Sequence, residues 1–234
     1  MKKNIKYLIW LFIILAVFAA IVIISNIKTN QAKREIEPVN LGNTNIRTYL
    51  AEKTPVSEEA DFIIGDKKEK SPVIVYEDYA NIYSADLAAT LDQLIKENSD
   101  LSFIVRPFFS GDNILSRQSA LAIRCAGEEK KASQMRDLLF SQTRKEELFY
   151  NDFSLYAENI GLKADKFITC LESEEQMEKL ELELKKAEEY SVIGAPTIFI
   201  GGEMIIGARP YDDYIDSNGD QIEGLKTVIN RIIK

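Results

Sequence analysis

The sequence predicts an α/β domain whose elements run βαβ, a helical insertion, then ββα, preceded by one N-terminal membrane-spanning helix. Three observations carry this expectation. The chain opens on a basic tip followed by an unbroken apolar run. Two β-branched and aromatic runs near residues 73 and 101 flank a helical pattern, and two more near the C-terminus flank Gly201-Gly202. Between these pairs, residues 111–190 show helical spacing throughout.

Lys2, Lys3 and Lys6 form the tip at 1–6 and precede apolar residues from Tyr7 to Ile24. At about 1.5 Å per residue, a helix of that length nearly crosses a hydrocarbon core of about 30 Å. Ser25 and Asn26 extend the expected anchor to 7–26. The lysines keep the N-terminus cytoplasmic, so the expectation is a single-pass protein of the cell membrane with its domain outside. The rival is a cleaved signal peptide, whose apolar core is shorter, about 7–15 residues. Residues 27–58 are polar and mixed in charge, with Pro38 and Pro55, and read as a tether in which Ile46–Lys53 has the pattern of one short helix. The folded domain is expected over 59–234.

Within it, "VIVY" (Val73–Tyr76) has the composition of a buried strand. Leu87, Leu91, Leu94 and Ile95 recur at helical spacing, and "LSFIVR" (Leu101–Arg106) is the next strand. This order makes a βαβ unit. Helices follow over Leu115–Ala126, around Met135–Leu139, and over Phe153–Ile160, the last closed by Gly161. Phe167–Leu171 is short and apolar, and Glu174–Tyr190 is a charged helix with Met177, Leu180, Leu184 and Ala187 on one face. "TIFI" (Thr197–Ile200) and "MIIG" (Met204–Gly207) form a hairpin around Gly201-Gly202, and an amphipathic helix runs from about Ile222 to Ile233.

Composition narrows the function. There are 29 Lys+Arg against 37 Asp+Glu, net charge −8, which argues against nucleic acid as a partner because phosphate recognition takes clustered cations. The chain has no histidine, which removes Ser-His and Cys-His nucleophile pairs and the commonest metal ligand. No metal site and no cofactor is expected. Cys125 and Cys170 are the two cysteines and form no C-x-x-C motif.

Several segments in order carry a resemblance: "DFIIG" and "SPVIVYEDY", "VRPFF" (Val105–Phe109), "RCAGEEKKASQMRDLLF" (Arg124–Phe140), "FITCLES" (Phe167–Ser173) and "SVIGAPTIFIGG" (Ser191–Gly202). Together, from about Asp61 to the C-terminus, they resemble the DsbA family of extracytoplasmic thiol–disulfide oxidoreductases, which implies a thioredoxin-like fold. The resemblance makes Pro196 a cis-proline facing the site, in a loop that presents backbone to extended peptide. It also aligns Asn81, Ile82, Tyr83 and Ser84 with the family's catalytic C-x-x-C, so both sulfurs are missing. The family's chemistry needs a thiolate at a helix N-terminus, where the free N–H groups and the dipole stabilise it. Asn81 reads instead as an N-cap, and Ser84 has no histidine base. Ala132 and Ser133 stand where the family usually carries large aromatics. Glu77 and Asp78 stand beside the site. In the family an acid there helps move protons, and the plainer reading is a solvated strand end.

Two lone cysteines in an oxidising compartment usually pair, so Cys125–Cys170 is expected as a structural disulfide, with two buried thiols as the alternative. The expected function is a binding module with no redox activity, taking extended peptide or unfolded envelope protein at Ala195, Pro196, Thr197, Ile82 and Tyr83, as an assembly factor or chaperone. The alternative is a thiol–disulfide oxidoreductase that uses Cys125 and Cys170. A third reading makes the fold a scaffold held on a fixed envelope partner.

Overall fold

A computed structural model describes residues 48–59, 61–65 and 73–233. The expected anchor at 7–26 and most of the tether lie outside them. Among the described residues no helix is long and apolar enough to cross a membrane.

The described elements are β1 (Thr48–Leu50), β2 (Phe62–Gly65), β3 (Val73–Glu77), α1 (Ile82–Glu97), β4 (Ser102–Pro107), α2 (Ile114–Glu128) and α3 (Ala132–Arg144). A 3-10 turn (Tyr150–Asp152) leads into α4 (Phe153–Asn159), α5 (Ala164–Leu171) and α6 (Glu174–Glu189). Then come β5 (Thr197–Ile200), β6 (Glu203–Ile206), β7 (Tyr214–Ile215), β8 (Gln221–Ile222) and α7 (Leu225–Ile232). Six strands form one sheet in the order β1-β6-β5-β3-β4-β2. β3 and β4 are parallel, joined through α1, and the other pairings are antiparallel. The expected βαβ, helical insertion and ββα order is present, and the fold is thioredoxin-like.

β3 is buried along its whole length, as a run of Val, Ile and Tyr in mid-sheet should be. Its neighbour α1 serves two cores. Leu87, Leu91 and Leu94 pack with Val73, Val75, Phe103, Ile198 and α7. Ala85 and Ala88 pack instead with the helices of the insertion, where Met135, Leu139, Phe140, Phe153 and Leu180 gather. Small residues on that face let the insertion sit close to α1.

The sheet also takes in Thr48–Leu50, inside the stretch read as a tether with a helical pattern. Thr48, Tyr49 and Leu50 pair with Ile205, Met204 and Glu203 of β6. A β-branched and aromatic triplet suits a strand edge, and the unpaired backbone of β6 offers the template. The contact continues downstream, where the Val56 carbonyl accepts a 2.7 Å hydrogen bond from Arg106 and Glu58 pairs with Lys186 at 2.9 Å.

Candidate functional site

The C-terminal end of β3 and the N-terminal end of β5 meet at one end of the sheet's central strands, because Tyr76 and Thr197 are register partners. Two loops follow from this: Asp78–Asn81, leading into α1, and Ile193–Pro196, leading into β5.

Asn81 caps α1. Its Oδ1 accepts from the Tyr83 and Ser84 N–H groups at 2.8 and 3.3 Å. Ser84 is fully buried, and its Oγ accepts from the Asp78 N–H at 3.1 Å. Asn81 and Ser84, which the resemblance aligns with the family's cysteines, are therefore both engaged in holding the turn. The two between them are not: Ile82 and Tyr83 remain 44% and 62% exposed.

The acidic pair behaves differently from a solvated strand end. Glu77 is completely buried, and its carboxylate accepts from Arg136 of α3, Nε at 2.8 Å and Nη2 at 2.6 Å. Arg136 is itself 1% exposed. This two-pronged pair ties the end of β3 to the insertion and leaves no free carboxylate oxygen for proton transfer. Asp78 is half-buried. It accepts from the Ala80 N–H at 3.0 Å and from the Ser116 hydroxyl at 2.9 Å. Burial nevertheless pushes its carboxyl above the ordinary value, against those two bonds. The Tyr79 carbonyl, next along, accepts from the Thr143 hydroxyl at 2.8 Å.

In the second loop the Ala195–Pro196 bond is cis. Thr197 Oγ1 donates to the Gly194 carbonyl at 2.7 Å, and the Pro196 carbonyl accepts from the Gly207 N–H at 2.8 Å. Pro196 and Thr197 are buried and Ala195 is half-buried. Their part in a surface is thus mainly backbone. Ile193, not singled out from the sequence, is 70% exposed on this loop. An exposed isoleucine in a loop carries no periodic signal that would mark it.

Cys125 of α2 and Cys170 of α5 are joined, across a sequence separation of 45 residues. The pair belongs to the insertion rather than to the α1 terminus. Cys125 is packed in the insertion core and Cys170 is half-buried at its margin. With the bridge closed the chain holds no free thiol. Among the described residues no group of acidic or cysteine side chains could hold a metal ion.

The profile of a family described as Thioredoxin matches residues 57–216, well over half of the chain. Among solved structures, alpha-DsbA1 of Wolbachia pipientis superposes with a TM-score of 0.57 at 17% identity, covering 76% of this chain and 93% of that one. A thioredoxin-like oxidoreductase from Silicibacter pomeroyi gives a TM-score of 0.59 at 15% identity, covering 66% and 87%. At these identities the likeness is one of fold. Among curated relatives, a Na(+)/H(+) antiporter, NhaA 3 of Salinispora tropica, is 25% identical over 159 residues, 68% of this chain and 24% of that protein. The chain thus spans about a quarter of the length of the curated relative it matches.

Proposed function

Since this chain belongs to the thioredoxin family over residues 57–216, we propose that it is a binding module in which the family's redox site has become a peptide-docking surface. The observation that carries the reading is the start of α1. Asn81 and Ser84 replace the thiols and spend their polar atoms on the turn, while Ile82 and Tyr83 stay exposed beside the Ala195-Pro196 loop. A fully bonded turn carrying exposed apolar side chains suits contact with another chain better than catalysis. Glu77 supports the same reading, because its carboxylate is neutralised by Arg136.

The occupant is an extended peptide or an unfolded envelope protein, held along the Ala195 backbone with its apolar side chains on Ile82, Tyr83 and Ile193. Backbone pairing supplies affinity and the apolar pockets supply selectivity. The chain acts as an assembly factor or chaperone, tethered by residues 7–26 with the domain on the outer side of the cell membrane. The apolar run Tyr7–Ile24 behind three lysines supports placement at a membrane, and the partial match to an antiporter extends no transport activity to this chain.

The test is binding of a fluorescent unfolded protein, reduced and alkylated so that no thiol exchange contributes. Replacing Tyr83 by Ser and Ile82 by Asp should weaken binding at least about fivefold, the loss expected for an aromatic anchor. Unchanged affinity in the double variant would eliminate this surface.

One observation favours a second reading. The Cys125–Cys170 bridge exists and Cys170 is half-buried, so an attacking thiolate has a path to it. Under that reading the chain is a thiol–disulfide oxidoreductase with its redox pair moved into the insertion.

A further inference from the structure

A cavity of about 510 Å³ opens where α2, the start of α3 and α6 meet the ends of β3 and β4. None of Ile82, Tyr83, Ile193, Ala195, Pro196 or Thr197 lines it, so it is separate from the docking surface. Phe62, Tyr76, Val105 and Ile123 give the lining an apolar part. Among the described residues the rest of it carries five cations and four carboxylates.

Most of that charge is matched. Arg106 holds Asp61 at 2.7 Å, Arg124 holds Glu183, and Lys186 holds Glu58 at 2.9 Å. Lys179 pairs at 2.6 Å with Glu175, which does not line the cavity. The fourth carboxylate, Glu128, accepts from the Gln176 side chain at 2.6 Å. Lys130 is the exception. It is exposed in the lining, and among the described residues its ammonium has no partner. Ser133, three residues on, is also exposed in the lining, with its hydroxyl unbonded. Between them Lys131, the N-cap residue of the 13-residue α3, makes no side-chain capping bond, so the positive end of that helix adds to the field of Lys130.

We propose that this cavity binds a small organic monoanion of the aryl carboxylate class, with its carboxylate on the Lys130 ammonium and the Ser133 hydroxyl and its ring on the apolar part of the lining. The volume lies within the range of small-molecule sites, about 300–1,000 Å³. A single negative charge fits because a single lining cation is left over. A cationic ligand would have to displace Arg106, Arg124 or Lys186 from a carboxylate, or sit beside Lys130. A neutral ligand would gain nothing from Lys130.

The test is a ¹⁹F NMR titration of the full chain with 4-fluorobenzoate, neutral 4-fluoroacetophenone and cationic 4-fluorobenzylamine. The benzoate should bind most tightly. Lys130→Gln should weaken it about 3- to 10-fold, a loss between that of an exposed ion pair and that of a hydrogen bond to a charged group. Lys130→Arg should retain it. Lys179→Gln removes a lysine already paired outside the lining and should change the affinity less than about twofold. Ser133→Trp should block the rim and abolish binding. Benzoate affinity unchanged in Lys130→Gln, an equal loss in Lys179→Gln, binding that survives Ser133→Trp, tighter binding of the ketone or the amine, or no binding of the benzoate would each overturn the proposal.

Discussion

Removing the Arg136 side chain should be among the most damaging single changes in the described domain. Glu77 is completely buried and takes two charge-assisted hydrogen bonds from Arg136, at 2.8 and 2.6 Å. The other acids near Arg136, Asp92 and Asp137, sit at 3.8 and 3.9 Å, with side chains 47% and 63% exposed. They gain little from it and cannot replace it for Glu77. Arg136→Met keeps most of the packing volume but leaves a buried carboxylate alone, which costs about 3–5 kcal/mol. That is a large share of a typical domain's stability of about 5–15 kcal/mol. Glu77→Leu combined with Arg136→Met should recover most of the stability, because no buried charge remains. Urea unfolding followed by far-UV circular dichroism at pH 7 measures the parent and both variants. A loss below about 1 kcal/mol, or failure of Glu77→Leu to rescue, would refute the view that this pair anchors β3 to the insertion.

Three further outcomes follow from the same structure. Replacing Cys125 and Cys170 by Ala should lower stability by roughly 4 kcal/mol in the chain-entropy treatment of a 45-residue loop, read as a lower urea midpoint. Asp78→Asn keeps an acceptor for the Ala80 N–H but removes a carboxyl that burial holds above its usual value. The unfolded chain ionises this group first, so its contribution to stability falls as pH rises through the acid range. The melting temperature of Asp78→Asn should therefore match the parent's near pH 3 and exceed it at pH 7, and a lower value at pH 7 would contradict the assignment. At Gly224 an added Cβ would stand 2.2 Å from the Asp212 carbonyl carbon, so Gly224→Ala should shift the turn before α7 and lower the melting temperature by several degrees.

The central strands were legible because their signal is local. "VIVY", "LSFIVR" and "TIFI" are runs of β-branched and aromatic residues, and they appear as β3, β4 and β5. The Gly201-Gly202 hairpin was legible for the same reason: both glycines take positive φ, which that residue adopts at no steric cost. β1 was not legible, since three residues at a sheet edge are strand only because β6 lies beside them. Glu77 looked like the polar end of a strand. Its burial depends on an arginine 59 residues away, and no local pattern reports such a partner. At the site, the Asn81 cap and the exposed Ile82-Tyr83 step were legible because this short stretch resembles a family pattern in which Asn81 and Ser84 align with the cysteines. A cavity of about 510 Å³ lined by Tyr79, Ala120 and Ala132 was not legible, because those residues come from one loop and two separate helices.

Thiol–disulfide exchange is the measurement closest to the central claim. The full chain would be assayed for insulin reduction and for oxidation of a reduced unfolded protein, beside its Cys125→Ala variant. The account predicts no exchange above background in either protein, together with retained binding of the alkylated unfolded substrate. Exchange that is present in the parent and abolished by Cys125→Ala would contradict it, and would make Cys125 and Cys170 a redox site built into the insertion.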